Sequence, residues 1–438
     1  MEFDELVDLA RIRMDADRVP AVHLGLIDGE REWTAALGIR DVRLGRKADD
    51  RTLFRIASIT KTFTATVLVR LAENGTVDLD APVRHYVPEF TLPDGESANR
   101  ITTRQLLLHT SGWVPGEQSG PDGPNALADG ARLQANGQQV SPPGAYFSYN
   151  GVGYMVAGRV IEVATGHAYE DVIRAMILAP LGMERTKFTT ETDDDIAGDH
   201  TVRAGAAETL VDPTSGRWGL PSGGLRSTAF DMLRFARCHL GETDVLDPHQ
   251  AAAMAESHVA LPPPGESKAL SWFVRDIGPE RLLMHLGGAL GQQSMLAVCP
   301  RRRFALVVLT NSAVGNGVTQ AVLSRALRQF LDIGESAPPR VLFLERARLH
   351  EYDGRYTQPG SDLVLTPEEG GLSMRVVNSG PYAQRPTPPP AHLGFWGPDR
   401  VIGTTGWATG QYGDFLRDTE GRVGYFRWSG RARRRVEG

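Results

Sequence analysis

The sequence predicts an α/β protein (in the α+β arrangement), with one antiparallel sheet flanked by helices and a small all-β domain after it. Strand patterns at residues 21–27 and 32–37 meet at Asp28-Gly29, a dipeptide typical of tight hairpins. Strand patterns return at residues 271–274, 282–285, 294–298 and 304–310, between predicted helices over 2–17 and 318–330. Beyond residue 345 the pattern changes to short strands broken by Gly, Pro and Asp, which is typical of a small antiparallel barrel.

The chain of 438 residues is long enough for two or three domains. We expect a first domain over residues 1–335 with a mainly helical insertion at about 78–205, a linker over 336–344, and a β domain over 345–438. Residues 113–144 hold many Gly and Pro and little periodicity, so they predict a long loop of the kind that is more often functional than incidental.

The composition is that of an ordinary globular protein, with 41% hydrophobic and 23% charged residues. A net charge of −6 gives no general attraction to nucleic acid or anionic membranes, so we expect neither as a partner. Cys238 and Cys299 are far apart, and we find no metal-ligand spacing, phosphate loop or nucleotide motif, so we expect no metal and no cofactor. We find no signal peptide and no apolar run long enough to span a bilayer, so we expect a cytoplasmic protein.

The first candidate for chemistry is Ser58-x-x-Lys61, at the start of a helix predicted over residues 60–73. The i, i+3 spacing places the serine hydroxyl and the lysine amine on one face. A desolvated lysine loses its proton easily and can then take one from serine, while the helix N-terminus offers N–H groups to an oxyanion. Taken alone, the motif is more often a surface helix cap with a solvated lysine.

Two further clusters lie near the ends of predicted elements. Tyr149 precedes a helix predicted over residues 151–163, and it is either an acid–base group beside a cation or an ordinary half-buried aromatic. His285 is followed by Gly287 and Gly288 at the end of a predicted strand, where glycines let a substrate backbone approach the strand edge. A lone histidine before glycine is more often structural than catalytic.

Taken together and in this order, Ser58-x-x-Lys61, Tyr149 and His285-x-Gly287 resemble the serine hydrolase superfamily of penicillin-binding proteins and class C β-lactamases. The resemblance covers roughly residues 5–335 and implies a class C β-lactamase-like fold. The segments that extend it include His109-Thr110-Ser111-Gly112, Pro180-Leu181-Gly182-Met183, Gly223-Gly224-Leu225 and Thr310-Asn311-Ser312. Tyr352-x-Gly354-x-Tyr356 opens a closing domain that looks like the lipocalin-like barrel carried by some members.

The resemblance implies a role for each matching residue. Ser58 would be the acyl-forming nucleophile, and either Lys61 or Tyr149 would deprotonate it, with Tyr149 relaying the proton to the leaving group. His285 would orient Tyr149 or bind a substrate carboxylate. The oxyanion hole would be the N–H groups of Ser58 and Gly288.

One position departs from the family pattern, because Tyr-x-Asn is replaced by Tyr149-Asn150-Gly151. The missing Asn normally bonds the substrate amide and contacts the lysine, so efficient β-lactam hydrolysis is not expected. Asn150 and Gly287 are the candidates for substrate binding near this position.

A chain with these catalytic motifs, no recognisable leader and an appended β domain resembles the penicillin-binding-protein-type thioesterases of nonribosomal peptide pathways. The resemblance implies head-to-tail cyclisation of a peptidyl thioester or ester with a D-residue at the acylating end, presented on a peptidyl carrier protein. Arg431 would grip a carboxylate, unless it belongs to a solvated basic tail. The alternatives are a stand-alone D-amino-acid peptidase, esterase or weak β-lactamase with the same site, and a catalytically silent binding protein.

Overall fold

The computed structural model describes residues 2–115, 120–210, 216–334, 337, 339–379, 383–384 and 386–436. The helices are α1 (Glu2–Asp17), α2 (Thr60–Glu73), α3 (Thr103–Leu107), α4 (Ala126–Arg132), α5 (Gly151–Thr165), α6 (Tyr169–Ile173), α7 (Leu220–Gly223), α8 (Ala229–His239), α9 (Pro248–Ala255), α10 (Asn316–Leu331) and α11 (Arg346–Leu349). The strands are β1 (Ala21–Asp28), β2 (Arg31–Asp41), β3 (Arg46–Lys47), β4 (Phe54–Arg55), β5 (Trp113–Val114), β6 (Gln138–Gln139), β7 (Lys187–Phe188), β8 (Asp199–Arg203), β9 (Ala206–Leu210), β10 (Leu225–Ser227), β11 (Val259–Leu261), β12 (Glu266–Lys268), β13 (Phe273–Ile277), β14 (Glu280–Ala289), β15 (Gln292–Cys299), β16 (Phe304–Thr310), β17 (Gly354–Thr357), β18 (Ser361–Glu368), β19 (Gly371–Asn378), β20 (Ala391–Gly397), β21 (Arg400–Gly403), β22 (Tyr412–Arg417), β23 (Val423–Trp428) and β24 (Arg431–Val436).

The largest sheet is antiparallel and runs in the order β11-β12-β13-β14-β15-β16-β1-β2-β3. Side chains alternate along each strand, so β16 sends Val307 and Leu309 to one face and Leu306 and Val308 to the other. One face packs against α1 and α10 in a single apolar cluster. The opposite face packs against α2 and α8, whose rings Phe63 and Phe235 stack at a centroid distance of 3.7 Å. The predicted antiparallel sheet flanked by the first and last helices is confirmed.

Between α2 and β10 the chain forms a mainly helical region that includes α3, α5 and α6. The prediction of one long loop over residues 113–144 is wrong for most of its length, because it contains the β5–β6 hairpin and α4; residues 116–119 lie outside the described part. Small residues explain the miss, since α4 reads ALADGAR and gives almost no apolar period. Its Gly130 lies directly against the Trp218 ring, where a Cβ atom would stand 2.3 Å from ring carbons.

The C-terminal strands β17–β24 close into an antiparallel barrel. Large side chains fill its interior, including Tyr356, Phe415, Phe426 and Trp428. Strands β23 and β24 pair from Trp428 opposite Arg431, so only two residues join them. The predicted fold class, a class C β-lactamase-like domain followed by a small all-β barrel, is confirmed.

Candidate active site

Ser58 lies in a tight turn immediately before α2. The turn is a 3₁₀ helix over Ala57–Ile59, and Ala57 adopts a left-handed φ of +44°. Neighbouring strands hold it on both sides, because the Ile56 N–H donates to the Leu225 carbonyl at 3.1 Å and Ser294 Oγ donates to the Ile56 carbonyl at 3.0 Å. A non-glycine residue with positive φ costs about 1–3 kcal/mol and persists only where the surroundings impose it. The fold therefore fixes the direction of the Ser58 side chain.

Lys61 lies one turn further along α2 and is only 2% exposed. Its Nζ donates to Ser58 Oγ at 3.0 Å and to the Ser222 carbonyl at 2.6 Å. The same amine lies 5.3 Å from the ring centroid of Tyr149 and 5.7 Å from that of Tyr154. These contacts hold the lysine amine on the serine oxygen without placing a carboxylate at the contact.

Tyr149 completes the group of three. Its hydroxyl donates to Ser58 Oγ at 3.0 Å, and its ring is partly exposed. The structure thus brings together the three residues that the sequence separates by up to 91 positions. A serine oxygen with an amine and a phenol both at hydrogen-bond distance can lose its proton to whichever of the two is deprotonated.

His285 lies near this group but is not hydrogen-bonded to Tyr149. It is 1% exposed, its Nδ1 donates to the Leu286 carbonyl at 2.9 Å, and its Nε2 has no hydrogen-bond partner among the described residues. Burial, and then the nearby cations Lys268 and Lys61, hold the pKa of the ring well below its usual 6.5. Only the Nδ1 edge of the ring is engaged by its own strand, so the expectation that His285 orients Tyr149 or binds a substrate carboxylate stays a prediction.

The ring that packs on Tyr149 belongs to His109, which the sequence reading placed only in a matching segment. The centroids of His109 and Tyr149 are 4.3 Å apart. His109 is 1% exposed, and its Nδ1 accepts from the Asn150 N–H at 3.1 Å. Burial, followed by Lys268 and Lys61, lowers the pKa of this histidine well below 6.5. The signal that could have found it is the His109-Thr110-Ser111-Gly112 segment after a capped helix.

Lys268 is a second buried lysine close to the site, and the sequence reading missed it. It is fully buried, its Nζ donates to the Ser271 carbonyl, and it lies 4.3 Å from the Phe273 ring centroid. Burial, and then the charge of Lys61, lower the pKa of this amine well below 10.5. Phe273 contacts His285 edge-on at 5.8 Å, so Lys268 and His285 share one aromatic wall. The flanking apolar residues Ala269, Leu270 and Trp272 were the available signal for burial.

Asn150 has a structural role that the sequence reading did not assign. Its Oδ1 accepts from the N–H groups of Val152 and Gly153, which caps α5, and its Nδ2 donates to the Trp113 carbonyl at 2.9 Å. Both ends of the amide are engaged and the residue is 6% exposed, so the side chain caps α5, while substrate binding by Asn150 stays a prediction. At Gly151 an added Cβ would stand 3.1 Å from Ser222 Oγ, so Ser222 occupies the neighbouring space.

Gly287 and Gly288 lie on β14, which runs beside the Ser58 turn. A Cβ on Gly287 would stand 2.2 Å from the Ile56 carbonyl oxygen, so this glycine permits the strand to approach the turn rather than making room for a substrate. Gly288 is exposed, and β13 pairs with β14 only as far as Met284. Among the described residues, no strand pairs with this edge of β14 at Gly288, and the preceding Gly287 lies against Ile56 at the start of the turn that carries Ser58.

Arg431 begins β24 and its side chain is exposed. Its neighbour Ala432 donates its N–H to Ser148 Oγ at 3.1 Å, which places the start of β24 one residue from Tyr149. Arg433 is not part of a solvated tail, because it is 8% exposed and burial lowers the pKa of its guanidinium to about 10.

No group of three or more His, Cys, Asp or Glu side chains in the described part of the chain is arranged to hold a metal ion. Cys238 and Cys299 are both buried free thiols. Within the described residues, none of the helices has the length and apolar character that crossing a membrane would require.

Comparisons with known proteins agree with this geometry. The family model described as Beta-lactamase matches residues 6–329. Penicillin-binding protein 4 of Amycolatopsis lactamdurans is 29% identical over 353 residues, which are 75% of this chain and 90% of that protein. The crystal structure of SurE matches with a TM-score of 0.83 and 26% identity over 99% of both chains. A class C β-lactamase shares the fold, with a TM-score of 0.65 and 19% identity over 76% of this chain and 97% of that one. The chain therefore belongs to the β-lactamase family of penicillin-binding-protein-like serine hydrolases.

Proposed function

We propose that the chain is a serine acyltransferase that releases a peptide by head-to-tail cyclisation. The observation that carries the acyl transfer is the placement of Ser58 Oγ at 3.0 Å from both Lys61 Nζ and Tyr149 Oη. Support for a peptide with a D-residue at its acylating end comes from SurE, which matches the whole chain and has also been solved with D-Leu. The substrate would be a peptidyl thioester or ester, with a peptidyl carrier protein as the partner that presents it.

In the first half-reaction Ser58 Oγ attacks the carbonyl carbon of the thioester or ester. A C–O bond forms, the bond to the leaving thiolate or alkoxide breaks, and the Ser58 proton passes through Lys61 or Tyr149 to that leaving group. The N–H groups of Ser58 and Gly288 would stabilise the oxyanion formed on the way. A peptide acyl-enzyme on Ser58 is the result.

In the second half-reaction the N-terminal amine of the same peptide attacks the Ser58 ester. An amide bond forms, the ester C–O bond breaks, and the amine proton returns through the Lys61–Tyr149 pair to Ser58 Oγ. An amine that is held close to the ester attacks faster than water does, and a site that excludes water increases this difference. Attack by water instead would give the linear acid.

Hydrolysis is the second candidate, as a D-amino-acid peptidase, esterase or weak β-lactamase. The specific support is the 29% identity with a penicillin-binding protein over three quarters of the chain, combined with the same three residues at Ser58. The third candidate is a catalytically silent binding protein. The hydrogen-bonded group of Ser58, Lys61 and Tyr149 argues against it.

The test is product analysis by mass spectrometry after mixing the protein with a short linear peptide thioester that ends in a D-residue. We expect a product lighter than the free acid by one water, formed by wild type and absent with Ser58→Ala. The matched control is the same peptide with an acetylated N-terminus, which can only be hydrolysed. A free acid as the sole product of the unblocked peptide would contradict cyclisation and favour the peptidase or esterase.

A further inference from the structure

We infer that the C-terminal barrel is part of the catalytic centre, because the carbonyl of Gly430 in the barrel binds the backbone N–H of Tyr149 and so positions this tyrosine. The Tyr149 N–H donates to the Gly430 carbonyl at 2.8 Å. This inference rests on the role of Tyr149 in the proposed function, but it adds residues of the second domain as positioning residues for that tyrosine.

The barrel contacts each residue of the short segment that leads to Tyr149. The Tyr146 hydroxyl donates to the Arg417 carbonyl at 2.6 Å, and its ring lies 5.0 Å from the Tyr425 ring. The Phe147 carbonyl accepts from Arg427 Nη1 at 3.4 Å, with the guanidinium 5.8 Å from the Phe147 ring centroid.

Ser148 makes one hydrogen bond to the barrel and one within its own domain. Its Oγ accepts from the Ala432 N–H at 3.1 Å, and its own N–H donates to the His109 carbonyl at 2.8 Å. The segment 146–149 is therefore clamped between the end of α3 on one side and the β23–β24 hairpin on the other. The tyrosine hydroxyl that reaches Ser58 is carried by a backbone with anchors in two domains.

The hairpin loop is built to present that carbonyl in a fixed direction. Ser429 and Gly430 are the two residues of the loop, with φ of +50° and +73°. Positive φ at both central positions is the type I′ pattern, which matches the twist of the flanking strands and favours glycine at the second position. The Ser429 hydroxyl adds a bond to Gln411 Oε1 at 3.1 Å. A rigid hairpin tip thus contacts the catalytic tyrosine directly.

The test compares Gly430→Ala with Gly406→Ala in the full-length protein. Both glycines have positive φ, at +73° and +60°, so both substitutions strain a turn of the same barrel. Gly406 has open space around it and none of the contacts described above. The measurement is the rate of acylation by a p-nitrophenyl ester, read as the nitrophenolate burst over a range of pH, with intact mass to locate the adduct.

We expect Gly430→Ala to slow acylation about tenfold or more, as for a displaced acid–base group, and to change the pH–rate profile, with Gly406→Ala within about twofold of wild type. The effect of Gly430→Ala should disappear when Tyr149→Phe is already present, because the tyrosine hydroxyl is what the carbonyl positions. Equal rates in both glycine variants, or an effect that persists in Tyr149→Phe, would overturn the inference.

Hydrogen exchange separates this inference from the proposed function. The peptide that contains Tyr149 should exchange slowly in wild type and in Gly406→Ala, and faster in Gly430→Ala, whether or not the ester reacts. No Ser58 adduct in wild type would contradict the proposed function, whereas unchanged exchange in Gly430→Ala would contradict the positioning role.

Discussion

At the scale of single residues, the site combines strained backbone with buried bases. Ala57, His109 and Ser271 have left-handed φ of +44°, +57° and +70°, and each lies next to a functional group of the site. Such strain is retained where the surrounding structure imposes one geometry. The buried amine of Lys268 and the rings of His109 and His285 add basic groups with depressed pKa values around Ser58. Residues other than Ser58, Lys61 and Tyr149 thus set the backbone geometry and the electrostatic environment of the site.

The pair Gly151 and Ser222 yields a prediction about the departure from the family pattern. Gly151→Asn should slow Ser58 acylation about tenfold, because its Cβ would stand 3.1 Å from Ser222 Oγ, close to the Lys61 amine. Adding Ser222→Ala should recover most of the rate, since that change removes the hydroxyl and keeps the carbonyl that binds Lys61.

The control for this pair is Ser222→Ala alone, which should stay near the wild-type rate. Burst kinetics with a p-nitrophenyl ester measure all four proteins. A double variant as slow as Gly151→Asn would show that the crowding at Ser222 is not the cause.

His239 yields a prediction about stability and pH. It is 3% exposed, lies between the Phe235 and Trp272 rings, and neither ring nitrogen has a partner among the described residues. Burial lowers its pKa from 6.5 to about 3, so between these values the unfolded state binds a proton that the native state does not. Stability therefore falls as pH drops below 6.5, by about 2 kcal/mol at pH 5 from this residue.

The measurement is urea unfolding at pH 7 and pH 5, followed by tryptophan fluorescence. Between pH 7 and pH 5, the free energy of unfolding of His239→Leu should fall by about 2 kcal/mol less than that of wild type. The control is His249→Leu, which changes an exposed histidine and should behave like wild type. The same loss in His239→Leu as in wild type would mean that His239 titrates normally in the folded protein.

At the scale of elements, α5 starts two residues after Tyr149, and its first turn depends on the Asn150 cap between them. Asn150→Ala should lower the free energy of unfolding by about 1–2 kcal/mol and also slow acylation, because it frees the first turn of α5 and the backbone beside Tyr149. Asn150→Asp keeps the capping oxygen and loses only the donor to the Trp113 carbonyl, so it should be milder in both respects.

Thermal unfolding and the ester burst, measured on the same samples, decide this prediction. Full stability with lost activity in Asn150→Ala would favour the prediction that Asn150 binds substrate. Loss of both together, with recovery in Asn150→Asp, is the result that capping predicts.

The helices and strands were predicted well where the pattern of apolar residues was clear. Strand β16 (Phe304–Thr310) and helix α1 (Glu2–Asp17) match their predicted bounds, because β16 is an almost entirely apolar run that is buried on both faces and α1 has apolar residues at helical spacing. The sequence analysis missed β11 and β12, which are only three residues each; β11 is the edge strand of the sheet, and β12 beside it reads Glu-Ser-Lys.

At the scale of the whole molecule, the sequence indicated which residues could do the chemistry but not how they are held. Spacing placed Ser58 and Lys61 on one helix face, and only the resemblance joined Tyr149 to them. The buried neighbours His109 and Lys268 come from other elements, and local sequence patterns do not report that they lie near Lys61. The contact of Gly430 with Tyr149 spans more than half the chain and required the structure.

The measurement that tests the central claim most directly is intact-mass spectrometry after incubation with a peptide thioester, followed by peptide mapping. Wild type should gain the mass of the acyl group on Ser58, Ser58→Ala should gain none, and Tyr149→Phe and Lys61→Met should acylate at least about 100-fold more slowly. Acylation at another residue, or an unchanged rate in both Tyr149→Phe and Lys61→Met, would contradict the assignment of Ser58, Lys61 and Tyr149 as one catalytic group.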